Sequence, residues 1–142
     1  MIVIDTSAIV AIWENEPQAA VLQSRLLYEP IGERCISAAS YIEAAIVLAG
    51  RRRHKLAAWP AQFQHWVEQM GLDLLPVDGE QARIAVEARI RFERGFGHPA
   101  KLNYGDSFSY ALAKTLKAPL LYVGDDFDKT DVRSALHRKR KR

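Results

Sequence analysis

Three carboxylates stand where the chain passes from strand-like to helix-like character. Asp5 directly follows Ile2-Val3-Ile4, a continuous β-branched apolar run. Glu43 closes Ser40-Tyr-Ile-Glu43, shortly after the apolar pair Cys35-Ile36. Asp106 closes Asn103-Tyr-Gly-Asp106 and opens a helical pattern through Phe108, Leu112 and Leu116. A further acidic stretch, Gly124-Asp125-Asp126-Phe127-Asp128 with Asp131 beyond it, follows the run Leu120-Leu-Tyr-Val123. Each acid also has a plain structural reading. Asp5 suits a helix N-cap, worth about 1 kcal/mol. Ser40 and Glu43 have the spacing of a capping box. Asp106 suits a first helical turn capped by Asn103, where the helix dipole favours negative charge. Acids in a loop are ordinarily solvated.

Their shared position argues for more than capping. Acids gathered at one end of a sheet repel one another, and a dry cluster would keep one of them protonated. A divalent cation removes that conflict. Oxygen donors, with no histidine constellation and a lone cysteine, select magnesium or manganese over zinc. Such an ion, with a positioned water or a second ion, activates a nucleophile and stabilises the leaving oxygen of a phosphodiester. Magnesium keeps several waters, so one or two carboxylates serve as direct ligands while the others hold water.

The elements that must position these acids follow from periodicity. Strand-like runs fall at residues 2–4, 35–37, 72–77 and 120–123, and helical patterns at 7–13, 17–27, 40–49, 59–70, 79–94 and 104–117. Pro17 suits the first turn of its helix. Strands alternating with helices predict a parallel sheet covered on both faces, and continuous apolar strands agree with burial on both sides. Ligands of such sheets bind beyond the carboxyl ends of the strands, which is where the acids lie.

A length of 142 residues fits one domain with a real core. We expect that domain at residues 1–136, followed by a basic, flexible tail at 137–142. The net charge of +3 reports this tail: without Arg138-Lys-Arg-Lys-Arg142 the rest stands at −2 (+3 less 5). The tail reads either as a solvated segment or as extra affinity for phosphate. Cys35 is the sole cysteine, so no intrachain disulfide forms, and its apolar neighbours predict a buried, inert thiol. The N-terminal run is neither a signal peptide nor a membrane span, so a cytoplasmic location is the default expectation.

These motifs together resemble PIN-domain nucleases, and specifically the VapC toxins of bacterial type II toxin–antitoxin pairs. Met1-Ile-Val-Ile-Asp5-Thr-Ser-Ala8 is similar to the family's first strand and first acid. Ser40-Tyr-Ile-Glu43 is similar to its acidic helix. Leu102-Asn-Tyr-Gly-Asp106-Ser-Phe-Ser-Tyr-Ala111 is similar to its most specific segment, and Leu120-Leu-Tyr-Val-Gly-Asp-Asp-Phe-Asp-Lys-Thr-Asp131 to its last strand and loop. The resemblance implies a three-layer α/β/α fold with a central parallel sheet of four to five strands. It implies Mg²⁺- or Mn²⁺-dependent endonucleolytic cleavage of RNA (tRNA, rRNA or mRNA) that inhibits translation and growth. Neutralisation by a VapB-like antitoxin, a homodimer and higher-order toxin–antitoxin complexes belong to the same implication. Asp5, Glu43 and Asp106 take the first three acidic roles, with Asp5 and Asp106 nearest the metal; Asp125 or Asp126 takes the fourth. Thr6 or Ser7 orients the carboxylate or a bound water.

Substrate grip is less marked. Arg51-Arg-Arg-His54-Lys55 reads as a phosphate contact or a solvated helix end. Residues 91–101 mix cations, glycines and aromatics and read either as a loop bordering the site, where Phe96 can stack on an unpaired base, or as a plain helix C-terminus capped by Gly95. His98 is a further catalytic candidate. Trp13, Trp59 and Trp66 read as core or interface. Ile9, Val10, Ile12 and Trp13 read either as a core helix or as a surface for an antitoxin. Other classes fit poorly. A haloacid dehalogenase-like phosphatase needs a second Asp where Ser7 stands, a dinucleotide fold needs a Gly-rich turn after the first strand, and a non-catalytic RNA-binding module has no use for intact acids.

Overall fold

The computed structural model describes residues 1–51, 57–92 and 102–136. At its centre is a parallel sheet of β1 (Ile2–Ile4), β2 (Arg34–Ser37), β3 (Asp73–Leu75) and β4 (Leu120–Leu121), in the order β3-β2-β1-β4. Val3 pairs with Cys35 on one side and Leu120 on the other, so β1 is flanked by strands on both sides. The helices are α1 (Thr6–Trp13), α2 (Ala19–Tyr28), α3 (Ala38–Arg51), α4 (Trp59–Gln69), α5 (Gly79–Phe92) and α6 (Tyr104–Leu116).

The pleat of the strands divides the core in two. Ile2, Ile4, Ile36 and Leu121 point into a cluster with α1 to α4 that includes Ile9, Leu22, Leu48 and Phe63. Val3, Cys35 and Leu120 point the other way, against α5 and α6 through Ala88, Phe92, Tyr110 and Leu112. Successive strand residues face opposite sides, so continuous apolar strands are what a sheet covered on both faces requires. The predicted α/β/α architecture with four parallel strands is therefore the one observed.

Among the boundaries that differ from expectation, three have a readable cause. β3 stops at Leu75 because Pro76 has no N–H to extend the ladder. It is an edge strand, with Asp73 and Leu74 exposed, so it is not buried on both faces. α2 begins at Ala19, leaving Pro17 ahead of its first turn. α3 leaves β2 without a connecting loop, so Ser40 and Glu43 lie inside the helix and form no capping box.

The tryptophans belong to the core. Trp13 meets Trp59 edge-on at 5.1 Å between centroids and Trp66 at 5.7 Å, and Phe63 stacks between Trp59 and Trp66. Ile9 is buried, with Val10, Ile12 and Trp13 packed on the same cluster, which resolves the first helix as a core helix. Cys35 is buried, and burial pushes its thiol pKa up, as expected of an inert cysteine. Among the described residues no helix is long and apolar enough to cross a membrane.

Candidate active site

The carboxyl ends of β1 and β4 bring the first acid and the last loop together. The Asp5 N–H donates to the Leu121 carbonyl at 2.9 Å, which continues the ladder one residue beyond β1. Asp5 then turns the chain into α1 as its N-cap. Its Oδ2 accepts the Ser7 N–H at 3.0 Å and the Ser7 hydroxyl at 2.7 Å. The same hydroxyl accepts the Val123 N–H at 3.0 Å. Ser7 therefore joins the Asp5 carboxylate to the segment that leads into Gly124, Asp125 and Asp126. Thr6 does something else: its hydroxyl donates to the Ser40 carbonyl at 3.3 Å and ties α1 to α3.

Asp106 enters from the other layer. Asn103 caps α6: its side chain accepts the Asp106 N–H at 2.9 Å, and Asp106 Oδ2 accepts the Asn103 N–H at 3.0 Å. The capping reading of Asp106 is thus correct as far as it goes. Asp106 is only 8% exposed, however, and its pKa is pushed up to about 7. Burial is the largest cause; the Asn103 N–H opposes it; the charges of Asp5, Asp126 and Glu43 add to the rise. Three acids from three other stretches of chain thus act on this one carboxyl group. Asp126 is among them.

Glu43 reaches this group from the second turn of α3. Ser40, one turn earlier, shares a buried hydrogen bond of 2.9 Å with Ser109 of α6 and fixes the two helices against each other. Glu43 and Gly105 then line one groove of about 380 Å³ together with Ile42, Ile46, Tyr104 and Phe108. Sequence reading did not single out Gly105, although a glycine in the first turn of a helix, where alanine is the better helix former, is a visible signal.

Carboxylate oxygens dominate the cluster, and the inert Cys35 thiol belongs to the apolar core. That donor chemistry fits a hard divalent cation. Among the described residues, no three carboxylate, imidazole or thiol groups close up into a ready-made metal cage. A hard cation here would draw on one or two carboxylates, with water completing its shell. Of the sequence candidates, Phe96, His98, the run 52–55 and the tail 137–142 lie outside the described residues.

Comparison with known proteins agrees with this geometry. Residues 2–133 match the PIN domain family. The chain belongs to that family. Ribonuclease VapC42 of Mycobacterium tuberculosis is 41% identical over 133 residues, covering 94% of this chain and 98% of that protein. Ribonuclease VapC28 of the same organism is 42% identical over 137 residues, covering 96% and 99%. A ribonuclease VapC of Mycolicibacterium smegmatis is 43% identical over 135 residues, covering 95% and 99%. Among solved structures, M. tuberculosis VapC20, described as a sarcin-ricin loop cleaving toxin, superposes with a TM-score of 0.71 at 16% identity, covering 93% of this chain and 96% of that one. A toxin–antitoxin complex from Klebsiella pneumoniae superposes with a TM-score of 0.65 at 14% identity, covering 92% and 93%. At those identities the solved structures bear on the fold alone.

Proposed function

We propose that this PIN-domain chain is a VapC-type toxin, a metal-dependent endoribonuclease restrained by a VapB-like antitoxin. The observation that carries the proposal is the buried Asp106 at the carboxyl end of the sheet, with the charges of Asp5, Asp126 and Glu43 bearing on it. Negative charges that bear on a buried carboxyl group disfavour its ionised form, and a cation bound beside it would relieve that conflict. The relatives' shared naming as ribonucleases supports RNA as the substrate.

In this reading Asp5 and Asp106 would hold Mg²⁺ or Mn²⁺. Bound there, the ion supplies positive charge that offsets the acids and stabilises the leaving oxygen of the phosphodiester. Ser7 fixes the rotamer of Asp5 through its hydroxyl, while the Asn103 N–H fixes that of Asp106. Glu43 and Asp126 flank the cluster, orient water for in-line attack, and one of them accepts its proton. The homodimer and the antitoxin partner of the family belong to the same proposal, and sedimentation of the chain alone and with its co-expressed genomic neighbour tests both.

The test of the function is cleavage of cellular RNA by purified protein with Mg²⁺ or Mn²⁺, with and without EDTA, and with D5N and D106N. We expect discrete RNA ends that vanish with EDTA and with either variant. Folded D5N or D106N that cleaves at the wild-type rate would overturn the assignment. Metal-independent RNA binding without cleavage products would favour a binding module.

A further inference from the structure

Gly105 is an ordinary helical residue. The described glycines with positive φ are Gly32, Gly71 and Gly124, so no backbone strain explains the absence of a side chain at 105. Glycine weakens a helix relative to alanine by leaving the backbone more freedom to lose. What the position needs is space. A Cβ built on Gly105 would lie 2.7 Å from Glu43 Cδ and 3.0 Å from Oε1, with Oε2 nearer still. Its three nearest heavy atoms are all carboxyl atoms of this one side chain.

We propose that Gly105 is a positioning residue: its bare Cα is the socket that seats the Glu43 carboxyl group against the first turn of α6, beside Asp106. A methyl group at 105 displaces the far end of a flexible side chain rather than backbone, so the helix survives and the acid moves. The catalytic consequence rests on the proposed ribonuclease activity; the packing does not. The placement also explains how an acid on α3 and an acid on α6, from helices on opposite faces of the sheet, come to act on one another. Ser40 with Ser109 sets the approach of the helices, and Gly105 admits the carboxylate.

The experiment is a double-mutant cycle in stability and in rate. Wild type, G105A, E43A and the double variant are unfolded in urea. We expect G105A to raise the midpoint in the E43A background, where the socket is empty, and to raise it less or lower it in wild type. Equal shifts in both backgrounds overturn the socket. If G105A alone does not fold, a folded E43A/G105A supports the socket, and failure of both overturns it. Cleavage is then measured in single turnover with Mn²⁺. G105A should slow wild type at least tenfold, yet change E43D, whose shorter acid stops short of residue 105, less than twofold. The same fold-loss in both backgrounds would show that Gly105 acts independently of Glu43. A wild-type protein that cleaves no RNA defeats the functional reading alone, because the urea cycle still decides the socket.

Discussion

The Ser7 hydroxyl donates to Asp5 Oδ2 at 2.7 Å while accepting the Val123 N–H at 3.0 Å. One oxygen atom thus couples the acid at the end of β1 to the chain that leaves β4. Removing it leaves the Ser7 N–H on Asp5, so the helix cap persists. What is lost is the lock on the carboxylate and the partner of a backbone N–H, together worth about 1–2 kcal/mol.

We therefore expect S7A to fold with that modest loss and to cleave RNA at least tenfold more slowly. Thr6 bonds the Ser40 carbonyl instead of the acid. T6V should cost a similar amount of stability but slow cleavage less than threefold. Chemical denaturation and single-turnover rates on the two variants check the division. S7A that cleaved at the wild-type rate would remove Ser7 as a support of the site.

Asp106 makes the metal-free protein sensitive to pH. Its pKa rises from an ordinary 3.8 to about 7, chiefly through burial. An acid with a raised folded pKa binds its proton more tightly in the folded state than in the unfolded one. Its contribution to stability is complete below pH 3.8 and is lost as the pH climbs through about 7. The size is on the order of a few kcal/mol. In EDTA, wild type should melt at lower temperature at pH 8 than at pH 5.5, and D106N should lose much of that dependence. Asparagine keeps an acceptor for the Asn103 N–H, so the α6 cap stays. Mn²⁺ should raise the pH 8 melting temperature of wild type far more than that of D106N, because a ligand of the folded state stabilises it. A D106N profile parallel to wild type would contradict this account.

How much of this was legible beforehand depends on the range of the signal. The sheet was readable because Ile2-Val3-Ile4 and Leu120-Leu121 are apolar without interruption, and both turned out buried on two faces. The acids were readable because Asp5 and Asp106 sit at element junctions, where local sequence fixes position. Ser40 and Glu43 misled as a capping box because the true start of α3 is set by the end of β2, a tertiary fact. The Glu43–Gly105 contact spans two helices from opposite layers, and no local pattern encodes it. The exposed β3 edge was hidden for a similar reason: strand order, not strand composition, decides which strand lies at the rim.

Asp125 and Asp126 were equivalent candidates in sequence, and the geometry separates them. Asp126 is partly buried and adds to the repulsion felt by Asp106, whereas Asp125 is exposed. D126N should slow cleavage at least tenfold, and D125N less than threefold. Because D126N also removes one neighbouring charge, it should narrow the difference in melting temperature between pH 5.5 and pH 8 without metal. D125N, at an exposed and better screened position, should narrow it less. The reverse ranking in both measurements would assign the fourth role to Asp125.

Arg34 offers a control in which stability and catalysis part company. It begins β2, at the end of the sheet opposite the acids, and is 8% exposed. Its guanidinium donates to the carbonyls of Glu29 at 2.7 Å, Met70 at 2.8 Å and Leu27 at 3.3 Å. Those carbonyls end α2 and cap α4, where helices leave unpaired acceptors and favour positive charge. A planar fork serves several acceptors at once, whereas a lysine ammonium on a single stem cannot reproduce its geometry. R34K should therefore cost about 1–2 kcal/mol, and R34M, which leaves the acceptors without a donor, about 2–4 kcal/mol. Both should cleave RNA at the wild-type rate per folded molecule at a temperature well below their melting points. A rate loss in R34K matching that of S7A would mean that the distant end of the sheet governs the acid cluster, and that the bond between Ser7 and Asp5 is not what sets its geometry.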